Sequence, residues 1–300
     1  MFDYQKMGET ITAKEKRKVL AELLKNSELT VVPGVFDMLS AKIADRENHQ
    51  VLYMSGYATV ASYLGLPDAG LASYADMVNR AGSIASATSA PLIADADTGF
   101  GGLLNVQFTV RGFETAGVAA IQIEDQEFPK KCGHTVGRRI IDAEDMVDKI
   151  SVAVDSRQDP NFLIIARTDA RTSLGLDEAI ERALAYRHAG ADVLFIESPE
   201  SESEFEEVAS RVDAPLLANM VEGGRSPVLS KSRLEEFGYS LAIYPGTGFF
   251  AAASALKDVY AHISETGSSL GSDRSLYPIE DMHELMGFKK VWDFEKKWAK

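Results

Sequence analysis

The chain has a single cysteine, Cys132, within the charged pentapeptide Lys130-Lys131-Cys132-Gly133-His134. A thiol between two lysines and a histidine lies in an electropositive setting, which favours a low thiol pKa and a reactive sulfur. The alternative, a small buried apolar residue, fits poorly with so charged a stretch. The sequence therefore predicts a catalytic role for Cys132, with His134 orienting a carboxylate or tuning the thiol.

Three acidic residues follow two apolar runs: Asp95 and Asp97 after one, and Glu124 after the next. In a strand, Asp95 and Asp97 would point to the same side, where they repel unless a cation lies between them. An all-oxygen site with few protein ligands suits Mg²⁺ or Mn²⁺, with water and substrate completing the octahedron. A helix N-cap beside a surface acid is the alternative interpretation. We expect a magnesium site here, with Mn²⁺ as a possible substitute.

Other polar residues at the ends of apolar runs could bind an anion. Backbone N–H groups at the turn of Ser55 and Gly56 could hold a carboxylate or phosphate. Arg167 could add a bidentate clamp. A structural salt bridge of Arg167 with Glu197 or Asp169 is equally compatible with the sequence.

Eight short apolar runs alternate with amphipathic helical stretches. The runs are too short for helices and suit buried parallel strands; they cover residues 30–34, 51–56, 91–97, 119–125, 162–169, 191–197, 215–220 and 239–245. This alternation predicts an α/β fold, a (β/α)8 TIM barrel, with an open doubly wound sheet as the alternative. In a barrel the carboxyl ends of the strands converge on one face, which would bring the polar residues together.

The helical stretches at the two ends of the chain frame this barrel. A helix over 12–26 precedes the first strand and would cap the bottom, and one over 279–300 exceeds what a closed barrel needs. A helix over 177–189 would end at Gly190. We therefore predict one barrel domain, 1–300, with 270–300 as a C-terminal helical extension.

Composition restricts partners and location. The formal net charge of −14 disfavours nucleic acid and anionic membrane surfaces, which attract basic proteins. The N-terminus lacks an apolar signal core, no apolar run is long enough to span a bilayer, and a single cysteine suits a reducing compartment. We expect a cytoplasmic protein without nucleic-acid or membrane partners.

Several motifs together resemble the isocitrate lyase/phosphoenolpyruvate mutase superfamily. They are LYMSG (52–56), DADTGFGG (95–102), IEDQEFPKKCGH (123–134), ARTDA (166–170), IES (196–198) and ANMVEGG (218–224). The KKCGH segment resembles the lyase branch in particular.

The resemblance implies roles for individual residues. Asp95, Asp97 and Glu124 would organise Mg²⁺, partly through water. Cys132 would protonate the leaving enolate, with Tyr53, a candidate base, and His134 as further catalytic residues. The substrate would be bound by Ser55, Gly56, Tyr57, Gly133, Arg167, Glu197 and Asn219. The C-terminal helix would be exchanged between subunits of a homotetramer, a dimer of dimers.

The chain departs from the methylisocitrate lyases of this superfamily at one informative position. Phe250 stands where those enzymes use an arginine to hold an extra carboxylate, so a tricarboxylate is disfavoured, because an unpaired carboxylate is costly in a closed site. The sequence thus predicts a magnesium-dependent carbon–carbon lyase. Its substrate would be a small 2-hydroxy or 2-oxo dicarboxylate like 2,3-dimethylmalate, cleaved to pyruvate or a related oxo acid and a carboxylic acid. The alternatives are an oxaloacetate hydrolase, with Thr247 as a possible discriminator, a methylisocitrate lyase, a carboxyphosphonoenolpyruvate-type mutase and a catalytically idle barrel.

Overall fold

A computed structural model describes residues 11–135 and 137–298. Eight parallel strands form its centre: β1 Thr30–Val35, β2 Leu52–Met54, β3 Leu92–Asp95, β4 Ala120–Glu124, β5 Leu163–Thr168, β6 Val193–Ile196, β7 Leu217–Asn219 and β8 Leu241–Tyr244. Each lies within or across one of the predicted apolar runs. Several runs extend beyond their strands, because polar residues such as Asp97, Asp125 and Asp169 leave the sheet for the loops.

The strands pair in the order β6-β5-β4-β3-β2-β1-β8-β7. The ends of this sheet meet through a parallel bridge between Leu194 and Leu216, beside which the Leu194 N–H donates to the Pro215 carbonyl at 2.9 Å. The fold is a (β/α)8 barrel, as predicted, and the open doubly wound alternative is wrong.

Helices connect the strands and continue past the last one. Within the described residues they are α1 Ala13–Leu23, α2 Met38–Arg46, α3 Gly56–Leu64, α4 Tyr74–Ala87, α5 Leu103–Thr115, α6 Ala143–Ser156, α7 Ala170–Leu174, α8 Leu176–His188, α9 Glu202–Arg211, α10 Lys231–Phe237, α11 Thr247–Thr266, α12 Ile279–Met286 and α13 Phe288–Trp298. The helix predicted over 177–189 is α8, and Gly190 follows it at φ 104°, the left-handed conformation that glycine adopts most readily.

Alternating strand residues build two apolar layers. Leu163 and Ile165 of β5 face the barrel interior, whereas Ile164 and Ala166 pack against the outer helices. Leu20 of α1 is fully buried in the interior layer, so α1 closes the bottom of the barrel as predicted. The same alternation directs the next residue of the inner series, Arg167, into the barrel mouth.

The chain divides into two compact units, Met1–Phe249 and Phe250–Lys300. In the second unit the predicted C-terminal helix is two helices, α12 and α13, because Gly287 between them has φ 83°; residues 299 and 300 of that prediction lie outside the described residues. The division into one barrel domain with an extension at 270–300 stays a prediction. Among the described residues, no helix is long and apolar enough to cross a membrane.

Candidate active site

The barrel mouth gathers most of the predicted site residues. Inward-facing residues at the ends of neighbouring strands are all buried there: Asp95, Glu124, Arg167, Glu197 and Asn219. Glu124 lies beside Arg167 in the β4–β5 register. The barrel therefore provides one crowded ionic cluster at its carboxyl end.

Lys130 is the cation beside Asp97, and it connects that carboxylate to Asp68 rather than to Asp95. Its ammonium group lies 2.6 Å from Asp97 Oδ1 and 2.7 Å from Asp68 Oδ1, and the side chain is almost fully buried. Asp97 lies beyond the end of β3, with φ 48°, so the strand geometry expected for Asp95 and Asp97 is wrong. The Asp97 N–H instead donates to Asp95 Oδ1 at 3.0 Å.

The three candidate metal-site carboxylates are held in an environment that disfavours their charge. Burial raises the pKa of Asp95, raises that of Asp97 to about 7 and raises that of Glu124 well above its usual value. Glu124 Oε1 is buried without a hydrogen-bond partner, which is costly unless something else satisfies it. A hydrated Mg²⁺ would satisfy this oxygen and favour the ionised carboxylates.

The residues fit Mg²⁺ held largely through water. Within 11–135 and 137–298, no three His, Cys, Asp or Glu side chains converge as direct metal ligands. Mg²⁺ usually keeps several waters and takes one or two carboxylates from the protein. Asp95, Asp97 and Glu124 could thus hold the ion in an all-oxygen shell.

Arg167 is the central cation of the mouth. Its Nε and Nη2 donate to the two oxygens of Asp169 at 3.0 and 2.9 Å, and its guanidinium lies 3.3 Å from both Glu124 and Glu197. The salt bridges expected as the alternative for Arg167 are therefore present. They also aim the guanidinium into the site, where it could receive a substrate carboxylate.

Cys132 does not have the electropositive setting that the sequence suggested. Lys130 is occupied by carboxylates, and the Lys131 ammonium donates to the Gly137 carbonyl at 3.0 Å. Burial, aided by the charges of Asp68 and Glu197, raises the pKa of Cys132 to about 11. The expectation of a low thiol pKa is wrong, and the thiol is protonated at neutral pH.

The described parts of the loop 126–141, which we call the lid, lie against the mouth. The Gln126 side chain accepts from the Lys131 N–H at 2.9 Å and donates to the Lys131 carbonyl at 2.8 Å. A Cβ on Gly133 would lie 2.3 Å from Arg167 Nη2 and 2.9 Å from the Glu197 carboxyl carbon. Only glycine allows so close an approach, so Gly133 brings the lid backbone onto the ionic cluster.

His134 packs beside Glu197 and Asn219. Its Nδ1 accepts from the Arg225 N–H at 3.3 Å, and its Nε2 lies 3.8 Å from Glu197 Oε1. Burial lowers the pKa of His134, so the ring is neutral at physiological pH. This geometry suits orientation of a carboxylate. The Asn219 amide also donates to Glu197, at 3.0 Å.

The residues contributed by β2 and α3 have distinct environments. The Tyr53 hydroxyl donates to Gln122 Oε1 at 2.8 Å, and burial, followed by the charge of Asp95, raises its pKa well above 10. A phenol that keeps its proton is a poor general base, and the catalytic role of Tyr53 stays a prediction. Ser55 caps α3 by accepting from the Ala58 N–H, while a Cβ on Gly56 would lie 2.4 Å from Asp95 Oδ2.

Thr247 and Phe250, near the end of strand β8, are the residues for which the sequence predicts an effect on substrate specificity. The Thr247 hydroxyl donates to Glu222 at 2.8 Å and is exposed. Phe250 begins the second unit and is 42% exposed. Tyr57, a candidate substrate-binding residue, lies near Phe249, with ring centroids 6.2 Å apart. The proposed effects of Thr247 and Phe250 on specificity stay predictions.

Comparison with known proteins identifies the family. The family model described as phosphoenolpyruvate phosphomutase matches residues 20–264. The chain belongs to the phosphoenolpyruvate mutase/isocitrate lyase superfamily. A 2,3-dimethylmalate lyase from Eubacterium barkeri is 47% identical over 280 residues, which cover 93% of this chain and 97% of that protein. A 2-methylisocitrate lyase from Aeropyrum pernix is 44% identical over 281 residues, which cover 94% and 89%.

A solved structure is similar over nearly the whole chain. A phosphonopyruvate hydrolase complex with oxalate and Mg²⁺ superposes with a TM-score of 0.86 at 30% identity, covering 97% of this chain and 100% of that one. The superfamily is magnesium-dependent. The resemblance drawn from the motifs is thereby confirmed at the level of the superfamily.

The sequence did not identify two ionic residues of the candidate active site, Asp68 and Lys130. Their signal was weak, because Asp68 lies between elements and Lys130 stood only as a neighbour of Cys132. Asp125, which follows Glu124 directly, lies outside the site. Asp125 faces outward and accepts from the hydroxyls of Thr168 and Tyr186 at 2.7 and 2.8 Å, so it stabilises the layer behind the site.

Proposed function

We propose that this protein is a magnesium-dependent carbon–carbon lyase that cleaves 2,3-dimethylmalate or a closely similar 2-hydroxydicarboxylate. The products would be pyruvate, or a related oxo acid, and a carboxylic acid. The observation that carries the proposal is a lid that places Cys132-Gly133 against a buried guanidinium beside three candidate metal-site carboxylates. The 47% identity to the 2,3-dimethylmalate lyase supports this substrate class.

Different residues of the site would bind the substrate and hold the metal during such a cleavage. Arg167 and the turn at Ser55-Gly56 would bind the carboxylate beside C2, and Glu197, oriented by His134 and Asn219, would border the same end. Mg²⁺, when bound near Asp95, Asp97 and Glu124, would supply positive charge that polarises the C2 oxygen.

Cleavage begins at the C2 hydroxyl group of the substrate. A base takes the C2 hydroxyl proton, the C2–O electrons form the carbonyl, and the C2–C3 bond breaks. The electron pair of that bond passes into an enolate of the leaving carboxylic acid. Cys132 Sγ–H then gives its proton to C3 of the enolate, which forms propanoate. The other product from 2,3-dimethylmalate is the pyruvate released when the C2–C3 bond breaks. The lid excludes water during these steps.

A methylisocitrate lyase is the second candidate, because the relative from Aeropyrum pernix is 44% identical. The two differ in whether a third carboxylate must be held. The phenyl ring of Phe250 offers that carboxylate no charge, and our preference for the dicarboxylate depends on this residue.

The test is turnover on a substrate panel with Mg²⁺ or Mn²⁺. Purified protein would be offered 2,3-dimethylmalate, 2-methylisocitrate, oxaloacetate and phosphonopyruvate, with oxo acid, acid and phosphorus-containing products quantified by NMR. We expect the highest kcat/KM with 2,3-dimethylmalate and loss of turnover in EDTA. Preference for 2-methylisocitrate, release of oxalate and acetate from oxaloacetate as the main activity, or phosphorus-containing product from a phosphonate would each overturn the assignment. Absence of turnover throughout would favour the idle barrel.

We propose that the second unit mediates assembly as a dimer of dimers with exchanged C-terminal helices. None of the residues of α11, α12 and α13 is buried within one chain. Trp292 is 55% and Phe294 65% exposed, and such apolar surface usually marks an interface. The cytoplasmic location and the absence of nucleic-acid and membrane partners stay predictions from composition.

A further inference from the structure

The mouth contains more buried negative than positive charge, and the lid supplies most of the cations. Among the described residues the buried carboxylates around it include Asp68, Asp95, Asp97, Glu124, Asp169 and Glu197. The cations in contact with them are Lys130, Arg138 and Arg167. Two of these three, Lys130 and Arg138, belong to the lid.

Asp169 is the carboxylate that connects the lid to the substrate end of the mouth. It accepts two hydrogen bonds from Arg167 and is also ion-paired with Arg138 Nη1. The Asp169 side chain is 0% exposed, and that of Arg138 only 4%. One buried carboxylate is thus shared by an arginine of the barrel and an arginine of the lid.

Arg138 is anchored on a second point of the barrel. Its Nη2 donates to the Thr172 hydroxyl at 2.7 Å, while its Nε is buried without a hydrogen-bond partner. An arginine that served only to anchor a loop could do so at the surface, with all its N–H donors hydrated and at little cost in stability. The burial of this incompletely satisfied guanidinium concentrates its charge on Asp169.

We propose that Arg138 is a positioning residue that acts through Asp169 on Arg167. In the closed lid Arg138 neutralises Asp169, so that Arg167 keeps the orientation set by Asp169 but has more of its positive charge left for an incoming carboxylate. Without Arg138, the guanidinium of Arg167 would face three uncompensated carboxylates, those of Asp169, Glu124 and Glu197. This inference rests on the proposed function, because it takes the carboxylate bound at Arg167 to be that of the substrate.

The neighbouring residue provides a matched control. Arg139 lies on the same lid segment, but its side chain is 73% exposed and forms a 2.6 Å ion pair with Glu127. Such a surface pair contributes little. The variant Arg139→Gln therefore removes the same charge from the lid without touching Asp169.

The experiment compares Arg138→Gln, Arg138→Lys and Arg139→Gln with the natural protein. Oxalate binding in the presence of Mg²⁺ is measured by calorimetry, and KM and kcat are measured with 2,3-dimethylmalate. We expect Arg138→Gln to weaken oxalate binding and raise KM by roughly 10- to 100-fold, near the lower end of what loss of one partner of a buried charge pair costs, because Arg138 acts only through Asp169. The kcat should fall less than KM rises. Arg138→Lys should recover part of the loss, and Arg139→Gln should bind within about threefold of the natural protein.

Two results would overturn the inference alone. One is unchanged oxalate affinity in Arg138→Gln with only a lower melting temperature, which is the signature of a purely structural contact. The other is equal losses in Arg138→Gln and Arg139→Gln. If Arg138→Gln does not fold, Arg138→Met decides, and natural oxalate affinity and KM in that uncharged variant would contradict the inference. Failure of the natural protein to bind oxalate or cleave a dicarboxylate would instead overturn the proposed function, and this inference with it.

Discussion

Replacing the thiol of Cys132 by a hydroxyl tests the proton-donor role most directly. Burial raises the pKa of Cys132 to about 11, so at pH 8 only about 1 thiol in 1,000 is ionised, against about a quarter for an ordinary thiol with a pKa of about 8.5. A serine hydroxyl is a much weaker acid. Removal of a general acid usually lowers the rate by about 10²- to 10⁴-fold. We expect Cys132→Ser to lower kcat by this factor while oxalate affinity stays within about threefold.

The same pKa predicts two properties of the natural protein. Because the acid form is required and persists until the pH approaches 11, kcat should show no basic limb from thiol ionisation between pH 7 and about 9.5. Reaction with an aromatic disulfide at pH 8 should be about 20-fold slower than that of free cysteine. The thiolate fraction falls about 240-fold, and the higher nucleophilicity of a more basic thiolate recovers about 13-fold.

Three results would refute this reasoning. They are a Cys132→Ser variant with kcat within tenfold of the natural value, a basic limb with an apparent pKa near that of an ordinary thiol, and a disulfide reaction as fast as that of free cysteine. The first would remove the acid role. The other two would show that the thiol is not held in the buried position that raises its pKa.

Further predictions concern the ionic cluster, the lid and the assembly. Lys130→Met should lower the free energy of unfolding, measured by chemical denaturation, by about 3–5 kcal/mol, because it leaves two buried carboxylates unpaired. The control Lys131→Met should change it by under about 0.5 kcal/mol. Equal effects of the two variants would contradict the pairing of Lys130 with Asp68 and Asp97. Burial raises the pKa of Asp97 to about 7, so this carboxyl contributes stability below its ordinary pKa that is lost as the pH rises toward 7. Mg²⁺ must displace its proton, and calorimetry should therefore show weaker Mg²⁺ affinity at pH 6 than at pH 8, with proton release; pH-independent binding would exclude this coupling. Gly133→Ala should prevent full closure of the lid and lower kcat/KM by at least about tenfold, with melting temperature nearly unchanged; natural kinetics would show that the close approach is not used. Deletion of 270–300 should reduce the mass measured by light scattering, and an unchanged oligomer would contradict the exchanged helices.

The barrel was predictable because its signals are local. Short apolar runs between amphipathic stretches identify parallel strands, and each strand observed lies on one such run. The inner series of β5, Leu163, Ile165 and Arg167, follows from the two-residue period alone. The same period separates Glu124, which faces the mouth, from Asp125, which faces the helices, so the sequence contains this difference too.

The ionic partners in the mouth were not predictable in the same way. Which carboxylates meet Lys130 depends on how the lid folds back across the barrel, over contacts such as the 2.7 Å pair with Asp68 that are remote in sequence. The pKa of Cys132 is raised rather than lowered, first because of burial and then because of the charges of Asp68 and Glu197. Neighbouring lysines lower a thiol pKa only if their charge reaches the sulfur, and here one lysine is neutralised by carboxylates and the other bonds a backbone carbonyl.

Closure of the lid and the acidity of Cys132 are therefore two consequences of one arrangement. The lid brings Lys130 and Arg138 to neutralise carboxylates of the mouth, and the compensated cluster allows Gly133 to pack directly against Arg167 and Glu197. Cys132 is partly buried beside them, and this burial is the largest cause of its raised pKa. A thiol on an open, hydrated lid would return toward its ordinary pKa of about 8.5. The protein thus holds its proposed proton donor in the protonated form most firmly in the closed state, in which a substrate enolate would need the proton.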